Sequence, residues 1–174
     1  MVTWNLDKAH SEIEFRVRHM MISSVKGFFQ DFNITMSGDP QDISTASIRI
    51  AIPTSSINTK NEQRDQHLRG EDFFDSNQFP EITFESTAIK KLNDGKYDVT
   101  GNLTIRNITK PTTFHVEVGG VAKDPWGNEK IGFAFNGRIN REDFGLTWNT
   151  PLETGGVLVG DEVKIQGDVQ FILN

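Results

Sequence analysis

The stretch "SEIEFRVRH" constrains the fold more than any other feature of the chain. In an extended backbone Ile13, Phe15, Val17 and His19 share one face, while Glu12, Glu14, Arg16 and Arg18 share the other. The same period of two returns with Phe32, Ile34 and Met36; with Ile48, Ile50 and Ile52; with Ile82, Phe84 and Ser86; and with Tyr97, Val99, Leu103 and Ile105. It continues through Phe114, Val116 and Val118, then Ile131, Phe133, Phe135 and Ile139, and finally Val163, Ile165, Val169, Phe171 and Leu173. Eight strands, each with one wet side, are expected.

The apolar composition agrees, with sixteen Ile and thirteen Phe against eight Leu and six Ala. β-Branched and aromatic side chains suit a pleated, half-buried surface, whereas Leu and Ala favour helices. The turn sequences "SGDPQD", "NDGK" and "KDPWGN" are short and imply antiparallel neighbours. Pro53, Pro80 and Pro111 are expected at strand ends, where a missing N–H costs least. No linker, repeat or low-complexity segment interrupts the 174 residues, so residues 1–174 read as one domain.

Eight one-sided strands must bury their apolar face, and closure into a barrel removes exposed edges while leaving room for about one small ligand. The expectation is an all-β protein: a single eight-stranded antiparallel β-barrel, with a short helical insertion between the third and fourth strands. Gly101, Gly137 and Gly167, with Ser86 and Ala88, stand in the inward register, where a packed core would want bulk. Their missing side chains leave room for an elongated apolar cavity, or else the glycines mark corners where strands bend. An empty lumen should accept Leu at Gly101 and Gly137.

The insertion carries "RDQHLRGEDFFD", which resembles a catalytic cluster. Thr59 and Glu62 form a T-x-x-E capping box and Gly70 a stop, giving a short helix over Asn61 to Arg69. On that helix the ionisable residues do not all face one point, although His67 and Glu71 would approach each other if it ran on. We read the segment as a helical cap posed by Arg64, Asp65 and Glu71, with Phe73 and Phe74 as its lid anchors.

Other chemistry finds little support. Cysteine is absent, and His10, His19, His67 and His115 are scattered without metal-ligand spacing, so neither a metal site nor a cofactor is expected. No G-x-S-x-G elbow occurs, and "TGGVLVGD" lacks the G-K-[ST] of a phosphate cradle and reads as a turn. Arg138, Arg141 and Asp143 could meet an anionic head group, though a salt-bridged turn at the barrel rim is the simpler reading. The formal charge of −6 opposes nucleic-acid binding, and no run of about 18 apolar residues provides stable membrane insertion. The N-terminus has no basic start or apolar core, which points to the cytoplasm, or to an extracytoplasmic site if a leader has been removed. Assembly as a homodimer stays open.

"WNLDKAHSEIEFRVRH", "VKGFFQDF", "RDQHLRGEDFFDSNQFPEITFES", "VTGNLTIRNITKP", "REDFGLTWN" and "VGDEVKI", in this order, resemble the YceI-like family over essentially the whole chain. The resemblance implies an extended, lipocalin-like barrel whose interior binds a long isoprenoid or similar lipid. It supplies no catalytic residues. Where the family often has Gly in the turn after "LTIR", this chain has Asn107, which tolerates a left-handed backbone. The reading is then a lipid carrier or reservoir for a polyprenyl chain, an isoprenoid quinone or a fatty-acyl derivative. Phe15, Val17, Phe32, Ile34, Ile50, Phe84, Leu103, Phe114, Phe133 and Phe135 are the expected lining, and Arg138 and Arg141 are the candidate head-group contacts. The alternative is an enzyme at the rim, acting on a small or lipidic substrate through His67 with Asp65 or Glu71.

Overall fold

The alternating segments pair into one strongly curled antiparallel sheet. The computed structural model describes residues 2–20, 22–150, 152 and 158–174. Its strands are β1 (Trp4–Leu6), β2 (Glu12–His19), β3 (Ser23–Phe29), β4 (Asn33–Asp39), β5 (Asp42–Pro53), β6 (Ile57–Asn58), β7 (Glu81–Asn93), β8 (Lys96–Ile105), β9 (Ile108–Lys123), β10 (Glu129–Asn140) and β11 (Val159–Leu173). One α-helix, α1 (Glu62–Arg69), lies between β6 and β7, in the insertion where it was expected.

Hydrogen bonding runs in the order β4-β5-β7-β8-β9-β10-β11-β2-β3-β6, with β1 attached to β11. This corrects the eight-stranded closed barrel: the ladder is a curled half-barrel with ends at β4 and β6. The chain itself brings those ends together. From Pro53, β5 passes through the 3₁₀ turn Thr54–Ser56 into β6, which pairs with Phe28 and Phe29 of β3. Thr54 N donates to Pro80 O at 2.8 Å and Gln30 N to Ser56 O at 2.9 Å, tying that turn to both sides.

The three additional strands have physical reasons for escaping a periodicity reading. β1 and β6 are too short to alternate visibly. In β3 the inward register is Val25, Gly27 and Phe29, and the glycine interrupts the apolar run. Register shifts also redirect side chains: a bulge between Ser86 and Ala88 turns Ile89 toward the interior and leaves Ala88 exposed, against expectation. Pro111 lies inside β9, opposite Asn102, instead of at its end. There β9 pairs with β8 alone, because its pairing with β10 begins at His115, so the missing N–H faces no partner.

The turn from β8 to β9 places Arg106 at φ 51° and Asn107 at φ 63°, both left-handed, the requirement of a two-residue hairpin with matching twist. Asn107 therefore does replace glycine there. Arg106 accepts the same strained backbone while donating to Gly145 O at 3.2 Å.

One end of the curled sheet is plugged. Trp4 of β1 lies 6.2 Å from the ring of Phe133 and 5.6 Å from that of Phe171, and its indole N–H donates to Gly38 O at 3.2 Å. Such aromatic contacts add to the burial of three large rings. The opposite end is covered by α1 and the segment after β10.

Candidate functional site

Between the plug and α1 the inner faces of the strands enclose a cavity of about 510 Å³. Its size falls within the range of small-molecule sites, roughly 300–1,000 Å³. Phe15, Val17, Ile50, Phe114 and Phe135 point inward yet are only half-buried, because they face this space. Nine of the ten residues expected in the lining are in its wall; Phe32 is not. Phe32 is buried outside the cavity, beside β1, with the Lys8 ammonium 6.0 Å from its ring.

The space does not come from the glycines. A Cβ on Gly137 would meet Phe114 Cδ1 at 2.5 Å, one on Gly167 would meet Phe135 Cζ at 2.4 Å, one on Gly27 would meet Phe15 Cζ at 2.3 Å, and one on Gly101 would meet the Glu85 carbonyl oxygen at 2.3 Å as well as Phe84 Cζ at 2.6 Å. Each glycine is covered by a phenyl ring from a neighbouring strand. The rings lie down on the wall, and the lumen stays open between them. The expectation that Gly101 and Gly137 would accept Leu into empty space is thereby overturned.

The cover over this end is built by α1 and the residues after it. Asn61 Oδ1 caps the helix by accepting from Arg64 N at 3.1 Å, so the cap is Asn61 and the expected Thr59–Glu62 box does not form. Thr59 has another role. Its amide and hydroxyl donate to the buried Asp65 carboxylate at 2.8 and 2.6 Å, and its hydroxyl and carbonyl oxygens accept from Arg64. Phe73 sits 5.4 Å from Trp148 and 5.1 Å from His67, while Phe74 meets Phe29 at 6.2 Å. Both expected lid residues line the cavity. Trp148, which closes the aromatic triangle with His67 at 4.7 Å, was missed because its segment has no periodicity.

The rim constellation suggested for catalysis is not assembled. His67 Nε2 pairs with Asp72 at 2.8 Å, Asp65 is turned to Thr59, and Glu71 is exposed. His10, in the 3₁₀ turn Lys8–His10, pairs with Asp7, and His115 on β9 pairs with Asp98; both are exposed, while His19 stands in the cavity wall. Among the described residues no cluster of ligand types could hold a metal ion. The first half of "TGGVLVGD" lies outside the described residues, and its second half leads into β11.

The two head-group candidates separate. Arg138 is exposed on the outer face and pairs with Glu162 at 3.5 Å. Arg141 reaches the wall but is buried, and its guanidinium donates to the carbonyls of Gly160 at 2.8 Å, Trp148 at 3.0 Å, Val159 at 3.4 Å and Leu146. Burial lowers its pKa below that of a free guanidinium, with Asp161 and Glu142 opposing. It fastens the segment after β10 to β11, and its donors are engaged.

The chain as a whole has relatives among known proteins. The YceI-like domain family matches residues 4–171. The chain belongs to that family. UPF0312 protein SA2479 of Staphylococcus aureus (strain N315) is 44% identical over 175 residues, covering 100% of this chain and 99% of that protein. Among solved structures, the Campylobacter jejuni YCEI protein is 37% identical with a TM-score of 0.77, covering 97% of this chain and 96% of that one. Burkholderia cenocepacia BcnA is 26% identical with a TM-score of 0.81 over 95% and 99% of the two chains. A polyisoprenoid binding domain from Saccharophagus degradans shares the fold, with a TM-score of 0.69 at 13% identity over 99% of each chain.

Proposed function

We propose that this YceI-like protein binds one long-chain lipid, an isoprenoid or related amphiphile, inside its cavity as a carrier or reservoir. The observation that carries the reading is the wall: aliphatic and aromatic side chains from nearly every strand face a cavity of about 510 Å³, and polar side chains gather at the lid end. The polyisoprenoid binding domain from Saccharophagus degradans supports a prenyl chain as the ligand class. Each methylene transferred from water to such a wall stabilises the complex by about 0.8 kcal/mol before ordering costs. A chain can therefore bind with few polar contacts.

The test is extraction of the protein purified from its own host, with mass spectrometry of the organic phase, beside a Val116→Trp variant. Val116 is half-buried in the wall, so the indole would occupy the lumen without entering the plug. We expect a co-purifying lipid with the parent and its loss from the folded variant. Equal lipid in both would remove the cavity as the binding site.

A further inference from the structure

The cavity wall has a one-sided charge. Arg18, Arg64 and Arg141 line it, with His19 and His67, and among the described residues no aspartate or glutamate does. This occurs in a chain with 24 acidic and 18 basic residues. Apart from Thr83, the polar wall residues lie at the lid end, on α1 and its approach, at the end of β2, and at Arg141.

Of these cations, Arg64 is the one held ready for a ligand. Its Nε donates to Thr59 Oγ1 and its Nη2 to Thr59 O, both at 2.8 Å, so one edge of the planar guanidinium is fastened. Thr59 is itself buried and locked by Asp65, which fixes the position of that edge without placing a carboxylate in the cavity wall. A guanidinium has five donors in a rigid fork. Two are used here, and the Nη1–Nη2 edge has no protein partner among the described residues. That edge matches two oxygens of a carboxylate or phosphate, and the charge-assisted bonds so formed are roughly twice as strong as neutral ones. A neutral head group would cover the cation without compensating its charge.

We propose that Arg64 anchors an anionic head group, a carboxylate or phosphate on a single long chain, with the head at α1 and the chain directed toward the Trp4 plug. This rests on the lipid-binding reading above and names the class of lipid. The test uses the full chain and three probes of one chain length: hexadecanoate, hexadecyl phosphate and hexadecanol, each displacing a fluorescent acyl probe. Both anions should bind at least about 10-fold tighter than the alcohol, the order expected of a charge-assisted hydrogen-bonded pair. In Arg64→Gln, checked for fold by circular dichroism, that ratio should fall to near one. The stronger of the two anions identifies the head group, and excess inorganic phosphate should displace neither, since the chain supplies most of the affinity.

If hexadecanol equals both anions on the parent, the head-group assignment falls and lipid binding stands. If none of the three binds, both fall. A preference that survives in Arg64→Gln overturns Arg64 as the anchor. Displacement by inorganic phosphate would mean a free-anion site unrelated to the chain.

Discussion

A phenyl ring laid over a glycine fills the space where a side chain would have pointed into the lumen. Phe114 covers Gly137, and the neighbouring rings of Phe84 and Phe135 stand 5.3 and 6.1 Å from it, so an aromatic band follows the wall. Gly137→Leu would force Phe114 off the backbone and into the cavity. We expect a loss of roughly 1 to 3 kcal/mol in denaturant midpoint analysis, the usual cost of overpacking, together with weaker lipid uptake. Unchanged stability would show that the ring moves freely and that the band is not structural. The glycines were visible in the sequence as missing bulk, but their covering was not, because it depends on which residues stand side by side across strands. By contrast, Phe15, Val17, Ile34 and Ile50 can be assigned to the interior from alternation alone, since facing is a local property of a strand. Arg64 was legible as a residue that poses the cap, but not as one that faces the cavity. Its role depends on Thr59, whose hydroxyl joins it to Asp65.

At the scale of elements, β1 and the lid make opposite demands on the two ends. β1 is held by Asp7, whose carboxylate accepts from Lys130 Nζ at 3.0 Å and faces His10 Nδ1 at 2.8 Å. The bond to Lys130, then that to His10, holds the Asp7 pKa below its ordinary 3.8. A depressed carboxylate favours the folded state wherever it is ionised. Its contribution is therefore complete above 3.8 and is lost as pH falls through the lowered folded value. Asp7→Asn should be less stable than the parent at neutral pH and should lose less on acidification, as read by thermal melts across that range. Parallel acid limbs for the two proteins would remove Asp7 from the linkage. The lid is held by rings, Phe73 on Trp148 and Phe74 on Phe29. Replacing both Phe73 and Phe74 with Ser should speed loading and release together, with a smaller change in affinity, in stopped-flow exchange of a fluorescent acyl probe. Rates equal to the parent's in a folded variant would make the segment a static cap. The helix was legible from Gly70 and from a Thr59–Glu62 box whose place Asn61 takes as the cap, whereas its partner Trp148 sits in an irregular segment that carries no pattern to read.

For the whole molecule, if the proposed chain fills the cavity while Trp4 plugs its far end, the cavity volume limits the length of chain that can be buried. The strand count shows how little of this is local: eight alternating segments imply a barrel, but the half-barrel with β1 as its stopper depends on pairings between residues as distant as Trp4 and Leu173. A dry cavity of about 150 Å³ accommodates one benzene. At the same ratio of carbons to volume, about 510 Å³ takes about 20 carbons. Below that length each added methylene should tighten binding by up to about fourfold, the equivalent of about 0.8 kcal/mol. Above it, further carbons remain in water or press on Trp4, and the gain should stop. A series of saturated chains from about 10 to about 24 carbons, ranked by displacement of one acyl probe, should rise and then level near 20. Affinity that keeps climbing through the longest chain would mean that the Trp4 plug opens, and Trp4→Ala should then extend the rise no further than the parent does.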